Sequence, residues 1–530
     1  MSAKKVTGNA GGKAGKKSSG GSAAPAQDTK ASGKPASGVA AEAAMQRGGS
    51  AGPKPMKAAG SGAPVSSCAC TDPGIAAEAA AGDGSKRIHV HHVTRVEGHG
   101  NIVVVIGADN AVETVRWEVP EAPRFFEAIL QGRSYKDVHQ IVSRICGICS
   151  IGHQLSSLQA TEDAMNIRIS EQTVTLRKLA IHAENLQSHL LHLAYLVLPD
   201  LMGVNSVIPL AETHKSELVG LIGLRRLANE FSRTICGRTT HPQRMVPGGF
   251  TKLPDESELQ VLLQSFRDSL PGFLKAADLF ASLRHKLPDF SRETEYIGLV
   301  SPSEYALYRG EVGSTDDSRK PASFYKDVTQ EYCVPQSTAK WTKNMRGSFM
   351  VGALSRYKLN HTHLKPTAKK VAETVGLTPD TVNPFHNNLA QLVECVHSVE
   401  DSMELIHWLL VEGVKREKAP VIRPRAGRGV GAVEVPRGIL FHSYEYDSKG
   451  RIVEADCVIP TNMNHANIQK DLEGLVPVIA HTSEAEIELL TSMLVRAYDP
   501  CISCSTHCID ITPGQMSKPD RGVRFVYKGR

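Results

Sequence analysis

The 530-residue chain has no uninterrupted run of about 18 apolar residues, roughly the minimum for a helix that crosses a bilayer, so any membrane contact is expected to come through a partner. It has no Gly-rich motif that cradles phosphates, which leaves nucleotide chemistry without support, and no internal repeat, which excludes solenoids and propellers. Aromatics make up only 5% of the chain, and residues 1–85 contain no aromatic residue and no Leu. That segment is built mainly from Ala, Gly, Ser, Lys and Pro. It cannot bury enough apolar surface to offset its ordering entropy, and it is expected to be disordered. With no ring to stack on bases it does not read as a nucleic-acid arm. It also lacks the apolar core of a secretory signal and the Arg-rich pattern of a transit peptide, so a cytoplasmic location is expected.

The formal charge of +6 conceals an asymmetry. Residues 1–60 hold ten Lys or Arg against two acids, which leaves the rest of the chain at a net −2. The basicity belongs to the tail. Beyond it, a chain 41% hydrophobic and 22% charged is long enough to bury a sizeable core.

Eleven cysteines, an odd number, do not suggest a disulfide framework and fit a reducing compartment. Cys68 and Cys70 sit in the tail, and the default for Cys236, Cys333, Cys395 and Cys457 is a small buried hydrophobe. The remaining ones are patterned: Arg144-Ile-Cys-Gly-Ile-Cys149, and Asp499-Pro-Cys-Ile-Ser-Cys504 followed by His507 and Cys508. A Cys-x-x-Cys pair can chelate one ion, and two pairs supply four soft sulfurs suited to zinc, iron-sulfur or another thiophilic metal. Structural zinc is the strongest rival on spacing alone. Zinc sites, however, usually draw their pairs from one compact stretch, whereas these lie at opposite ends of the globular region, which places the ion deep in the fold.

Between the pairs the pattern is mainly helical. Leu176, Leu179, Ala183, Leu186, Leu190, Leu193 and Val197 recur at steps of three and four, which predicts a long helix over 170–198, capped by Ser170 and stopped by Pro199. His182, His189 and His192 on it read as hydrogen-bonded packing residues. Further helices are predicted over 256–287 and 388–415. Strands are predicted over 102–106, 438–446 and 452–458, the last two joined by the turn Asp447-Ser-Lys-Gly450. The fold class is mainly α with smaller β parts (α+β), a long-helix bundle carrying a buried metal site.

Six motifs follow one another in order: Arg95-Val-Glu-Gly-His99; Arg144-Ile-Cys-Gly-Ile-Cys149 with His153; Gly237-Arg238 with His241-Pro242; Val435-Pro-Arg-Gly438; Pro460-Thr-x-x-Asn464; and Asp499-Pro-Cys-x-x-Cys504-x-x-His507. Together they resemble the large subunit of nickel-iron hydrogenases over essentially the whole globular part. The resemblance implies residues 86–507 as the hydrogenase domain. It also implies a nickel-iron centre in which Cys146 and Cys501 are terminal nickel ligands, Cys149 and Cys504 bridge to iron, and the iron carries carbon monoxide and cyanide. The implied reaction is reversible heterolytic splitting of dihydrogen.

A terminal thiolate, Cys501, would receive the proton and Glu97 would pass it on, since a carboxylate beside a buried site can be tuned towards neutral pKa. Arg437 would bring a fixed positive charge to the anionic cluster, paired with Asp499. Pro460 and Thr461 would line the iron's diatomic ligands. His153 would hydrogen-bond a bridging sulfur.

Ser188 stands where the respiratory uptake branch has an Asp, and the Ser188-His189 pair is more like the soluble cytoplasmic bidirectional branch. In the family a protease removes a C-terminal extension, here 508–530, leaving a terminal His507 that holds a magnesium or iron ion together with a carboxylate, for which Glu127 is the candidate. No further cysteine set is available for electron-carrying clusters. The resemblance therefore implies an iron-sulfur small subunit, with flavin or nicotinamide diaphorase-type subunits as further partners. A hydrogen-sensing regulatory subunit is the alternative, and retention of all four cysteines argues against a metal-free scaffold of the same ancestry.

Overall fold

The computed structural model describes residues 85–506. All of them belong to the second of two compact units, Ala77–Arg530. The basic tail, His507 and the extension 508–530 lie outside the described residues.

Four long helices form a closed ring. They are α2 (Glu171–Leu191), α3 (Lys215–Cys236), α4 (Glu256–Leu283) and α5 (Asn387–Glu412), following the shorter α1 (Ser150–Met165). α2 packs on α3, α3 on α4, α4 on α5, and α5 back on α2. The apolar seam read from the sequence does the packing: Leu176, Leu179, Ala183, Leu186 and Leu190 are all buried. Ser170 caps α2 as expected, accepting from the Thr173 amide at 3.0 Å. Pro199 does not stop the helix. Residues His192–Val197 widen into a π turn, and the chain then resumes as Leu198–Leu201 with Pro199 in its first turn. A ring that lacks an N–H costs nothing there, because first-turn amides have no intrahelical acceptor. Nor does proline stop α4: Pro271 sits well inside that helix, where its missing N–H does cost a hydrogen bond.

The β parts exceed the three predicted strands. β1 (Lys86–Val90), β2 (Asn101–Ile106) and β3 (Val112–Glu118) form one antiparallel sheet, and β4 (Gly427–Val435), β5 (Gly438–Tyr446) and β6 (Ile452–Val458) form another. A four-stranded sheet built around Glu295–Val300 was not anticipated. The β5–β6 turn is as read: Asp447 Oδ1 accepts from the amides of Lys449 and Arg451, and Gly450 takes the left-handed φ of 72°. The class is the expected one, mainly helical with small sheets. Of the isolated cysteines, Cys236, Cys395 and Cys457 are buried, but Cys333 is only half-buried, in a loop that follows a short edge strand.

α1 lies across β4 at a distance that only glycine permits. A Cβ on Gly431 would fall 1.9 Å from the Ser156 carbonyl oxygen, and one on Gly429 would fall 2.1 Å from that of Ala160. The contact positions the site, because α1 begins at the residue after Cys149. The last long helices, α6 (Pro460–Ile479) and α7 (Glu484–Ala497), pack on each other and deliver the second cysteine pair.

Candidate metal centre

The two cysteine pairs meet through three separate stretches of chain. Glu97 forms a parallel bridge with Cys501, and its carbonyl accepts from the Ile502 amide at 2.9 Å. The approach needs Gly98, whose φ is 84° and whose Cβ would lie 2.8 Å from the Ser503 nitrogen. Arg124 fastens both cysteine loops: its guanidinium donates to the carbonyls of Ile145 (2.6 Å), Arg144 (2.9 Å) and Ser503 (3.3 Å), and its amide donates to Thr506 at 2.8 Å. Behind Cys149, the first amides of α1 need acceptors. Glu184 supplies them, taking Ile151 at 2.7 Å and Gly152 at 3.1 Å. Burial pushes its carboxyl up to about 8 against the pull of those amides.

The four sulfurs all lie within 4.8 Å of one another. Cys146 and Cys501 are 3.5 Å apart, Cys149 and Cys504 are 3.9 Å apart, and the sulfurs of Cys501 and Cys504 are in direct contact. None of the four residues is more than 4% exposed. Amides of Ile148 and Cys149 donate to the Cys146 sulfur at 3.2 and 3.0 Å. Burial would raise the Cys146 thiol, but hydrogen bonding from Cys149 and the Arg437 charge outweigh it and draw it down. Burial pushes the Cys149 thiol well above its usual range.

Arg437 and Asp499 are paired as expected, with Nη2 to Oδ1 at 2.9 Å and Nε to the Asp499 carbonyl at 2.9 Å. Arg437 keeps one buried donor, Nη1, without an acceptor among the described residues. Burial alone would lower its pKa, but Asp499 and the two thiol groups raise it, so the guanidinium stays charged. Thr461, in the first turn of α6, accepts from the Cys501 amide at 3.0 Å, next to Pro460. Beside it Asn462 is fully buried with both amide ends unpartnered among the described residues. Four convergent sulfurs, a fixed cation with a spare donor and a buried free amide suit a soft-metal group carrying anionic ligands.

Other predicted residues fall as follows. The Glu97 carboxylate accepts from the hydroxyl and amide of Ser503, between the two cysteines of the second pair. His153, buried in α1, has Nδ1 3.0 Å from His442 Nε2, while its amide donates to the Cys149 carbonyl. The Glu127 carboxylate accepts from Lys340 Nζ and from the Cys457 amide, both at 2.9 Å; its expected partner His507 lies outside the described residues. His241 braces the start of α1, its amide donating to Ser150 Oγ at 2.9 Å. The sequence reading missed Arg124 and Glu184 as site residues, as well as His465, which joins Trp117 to Ser505 at 2.9 Å on each side. Arg124 stands three residues before the candidate Glu127, but nothing local marks a residue whose partners are backbone carbonyls far along the chain.

A family model for nickel-dependent hydrogenases matches residues 124–229 and 305–507, and a HoxL-like model matches 87–122. The chain is 33% identical to sulfhydrogenase 1 subunit alpha of Pyrococcus furiosus over 422 residues, covering 80% of this chain and 98% of that one. It is 26% identical to the NAD-reducing hydrogenase HoxS subunit beta of Cupriavidus necator over 487 residues, covering 83% and 99%. Among solved structures, an NAD+-reducing [NiFe]-hydrogenase in the H2-reduced state superposes with a TM-score of 0.72 at 25% identity, covering 80% of this chain and 99% of that one. With the sulfur cluster and these matches together, the chain belongs to the nickel-dependent hydrogenase family, as a catalytic large subunit of the nickel-iron type.

Proposed function

We propose that the chain splits dihydrogen reversibly and heterolytically, with Cys146 and Cys501 as terminal nickel ligands and Cys149 and Cys504 bridging nickel to an iron that carries carbon monoxide and cyanide. The observation that carries this reading is the convergence of four buried sulfurs within 4.8 Å. The bound metal pair supplies polarisation of dihydrogen and a sink for its electrons. The protein's own groups do the rest. In a site closed to water, separating charge is costly unless a base takes the proton at once. Cys501 is that base, and the Glu97 carboxylate, held by Ser503 beside the cysteine pair, is the next station. Arg437, locked by Asp499, offers its free Nη1 to anionic ligands. His153, oriented by His442, tunes the bridging sulfur of Cys149.

In the same reading electrons leave to an iron-sulfur small subunit and on to flavin or nicotinamide subunits; the relatives are named as subunits, one of them of an NAD-reducing enzyme. Thr506 is hydrogen-bonded to Arg124, three positions before Glu127, which supports Glu127 and His507 as ligands of a magnesium or iron ion after a protease removes 508–530. No described helix is long and apolar enough to cross a membrane. The cytoplasmic placement rests on the likeness to the NAD-reducing hydrogenase HoxS subunit beta. Glu97→Gln is the test. The purified variant should keep nickel and iron but lose exchange between dihydrogen and solvent deuterons by about 100-fold or more, the usual weight of a positioned acid-base group. Wild-type exchange would remove Glu97 from the proton route.

A further inference from the structure

The contact between α2 and α5 carries buried polar pairs along its length, which is unusual for two long helices in the centre of a protein. His182 and His189 of α2, and His192 at the start of the π turn that continues it, each face a polar partner on α5. The helices run antiparallel, so the partners form successive rungs. His192 Nδ1 lies 2.6 Å from Gln391 Oε1. His189 Nε2 lies 2.8 Å from Glu394 Oε2. His182 lies 3.1 Å from Ser398 Oγ and 2.8 Å from Asp401 Oδ2.

The inner end joins the metal centre, because Gln391 Nε2 donates to Asp499 Oδ2 at 3.0 Å and Asp499 holds Arg437. The outer end reaches solvent: the Asp401 side chain is 24% exposed and is met by Lys365. Ten residues of helix separate His192 from His182, about 15 Å at 1.5 Å per residue.

The middle of this seam is polar and incompletely bonded. Asn185 falls between the histidines on the helical wheel. It is 1% exposed, and neither end of its amide has a partner among the described residues. The same holds for Ser188 Oγ and for His189 Nδ1, both in fully buried residues. Burial would raise the Glu394 carboxyl, but the two-pronged grip of Arg356 outweighs this and keeps it ionised. Glu394 therefore accepts a hydrogen bond from His189 Nε2–H, which leaves Nδ1 as a bare lone pair. Unbonded buried polar atoms are costly, and a polar, enclosed seam with several of them is where internal water resides.

We propose that the α2–α5 seam is a hydrated proton conduit from the Arg437–Asp499 side of the metal centre to solvent at Asp401, separate from the Glu97 route. The proton moves from water to water past His189, whose Nδ1 orients one of them while its Nε2–H stays on Glu394; at the outer end a proton enters His182 Nδ1 by way of the Ser398 hydroxyl as the Nε2 proton leaves through Asp401 to bulk water. His182 is the relay residue, and His189 and Glu394 are positioning residues. The inference rests on the hydrogenase reading, since that reaction supplies the proton.

The test uses the assembled holoenzyme with two variants. Asn185→Leu reads hydration without reference to turnover. If the seam holds water, the leucine displaces it, strands His189 Nδ1 and lowers the melting temperature by several degrees; a higher melting temperature would mean a dry seam and overturn the proposal. Asp401→Asn, with metal content verified, should lower kcat for dihydrogen oxidation about tenfold and enlarge the solvent deuterium isotope effect, with KM for dihydrogen unchanged and Asp401→Glu restoring both. A wild-type kcat and isotope effect in Asp401→Asn would overturn it. An inactive wild-type holoenzyme would sink the hydrogenase reading instead, while the Asn185 measurement would still decide whether the seam is wet.

Discussion

Gly431→Ala tests the way the fold sets the position of Cys149. The added Cβ would meet the Ser156 carbonyl oxygen at 1.9 Å, and anything below 3.0 Å forces a shift, so α1 must retreat from β4 by about 1.1 Å, the difference. The obstacle is main chain and cannot swing aside. Three hydrogen bonds cross this contact: Ser156 Oγ to the Gly431 carbonyl at 3.0 Å, the Ala432 amide to Gln159 Oε1 at 2.9 Å, and the Val430 amide to Asp163 Oδ2 at 3.1 Å. A retreat of that size carries each of them to about 4 Å, beyond useful range. Overpacking at about 1–3 kcal/mol, plus three lost hydrogen bonds at about 1 kcal/mol each, gives a destabilisation of roughly 4–6 kcal/mol. That is a large part of a typical total of about 5–15 kcal/mol. Cys149 immediately precedes α1, and metal-sulfur lengths tolerate only about 0.2 Å, so the centre should be lost with the packing. Nickel and iron per chain, measured by mass spectrometry, should fall well below one each, and the urea midpoint should drop. Gly220→Ala, at an exposed site in α3 with nothing within 4 Å, is the control and should stabilise by about 0.5–1 kcal/mol. Full metal content with an unchanged midpoint in Gly431→Ala would refute the reasoning.

Other outcomes follow from the same geometry. Arg124→Gln shortens the side chain and removes the donors that hold Ile145 and Ser503; purified protein should be metal-poor while its helical circular dichroism is retained, and full loading would show that the staple is dispensable. Stability should vary with pH in two regimes. Burial holds His139 and His397 at about 4 and His465 at about 3, so their contribution is present above pH 6.5 and is lost as pH falls towards those values, at about 1.4 kcal/mol per unit for each. Burial raises Glu184 to about 8 and Glu434 to about 7, which has the opposite sign and offsets the histidines down to the ordinary carboxyl range near pH 4.5. Below that the offset ends, and Glu394, held low by Arg356 in spite of burial, adds to the loss. The urea midpoint should therefore decline gently from pH 6.5 to 4.5, by about the weight of the one histidine that the two carboxyls leave unmatched, and fall steeply below; a decline from pH 6.5 as steep as that below pH 4.5 would contradict the carboxyl assignments.

What could be read from the sequence was what depends on local pattern. The Ser170 cap, the three-and-four seam of α2 and the Asp447–Gly450 turn are each settled by a few neighbouring residues, and each appears in the structure at its predicted place. The four cysteines were legible for a different reason: no common packing role explains a Cys-x-x-Cys, so two of them mark chemistry wherever they lie. Pro199 misled because its meaning changes with its position in a helical turn, and the π turn that resets that position leaves no mark in the apolar pattern. Short strands such as those around Glu295–Val300 were invisible because all six residues are buried, which erases the alternation that betrays a strand.

His182, His189 and His192 read from the sequence as hydrogen-bonded packing residues, and so they are. The seam they form with α5 escaped, because hydrophobic periodicity finds the face where apolar residues gather and names no partners for a second buried face, which here also holds Asn185. A helix enclosed in a ring has neighbours on more than one side, and only one side needs to be apolar to hold it. The other can carry hydrogen-bonded side chains at little cost, provided that each finds a partner. Gln391, Glu394, Ser398 and Asp401 answer three of the four α2 residues, and Asn185 is left over. An unanswered amide at the centre of an otherwise matched interface is a cost without a structural return, and in a protein that must move protons out of a dry interior it is accounted for by water and a path.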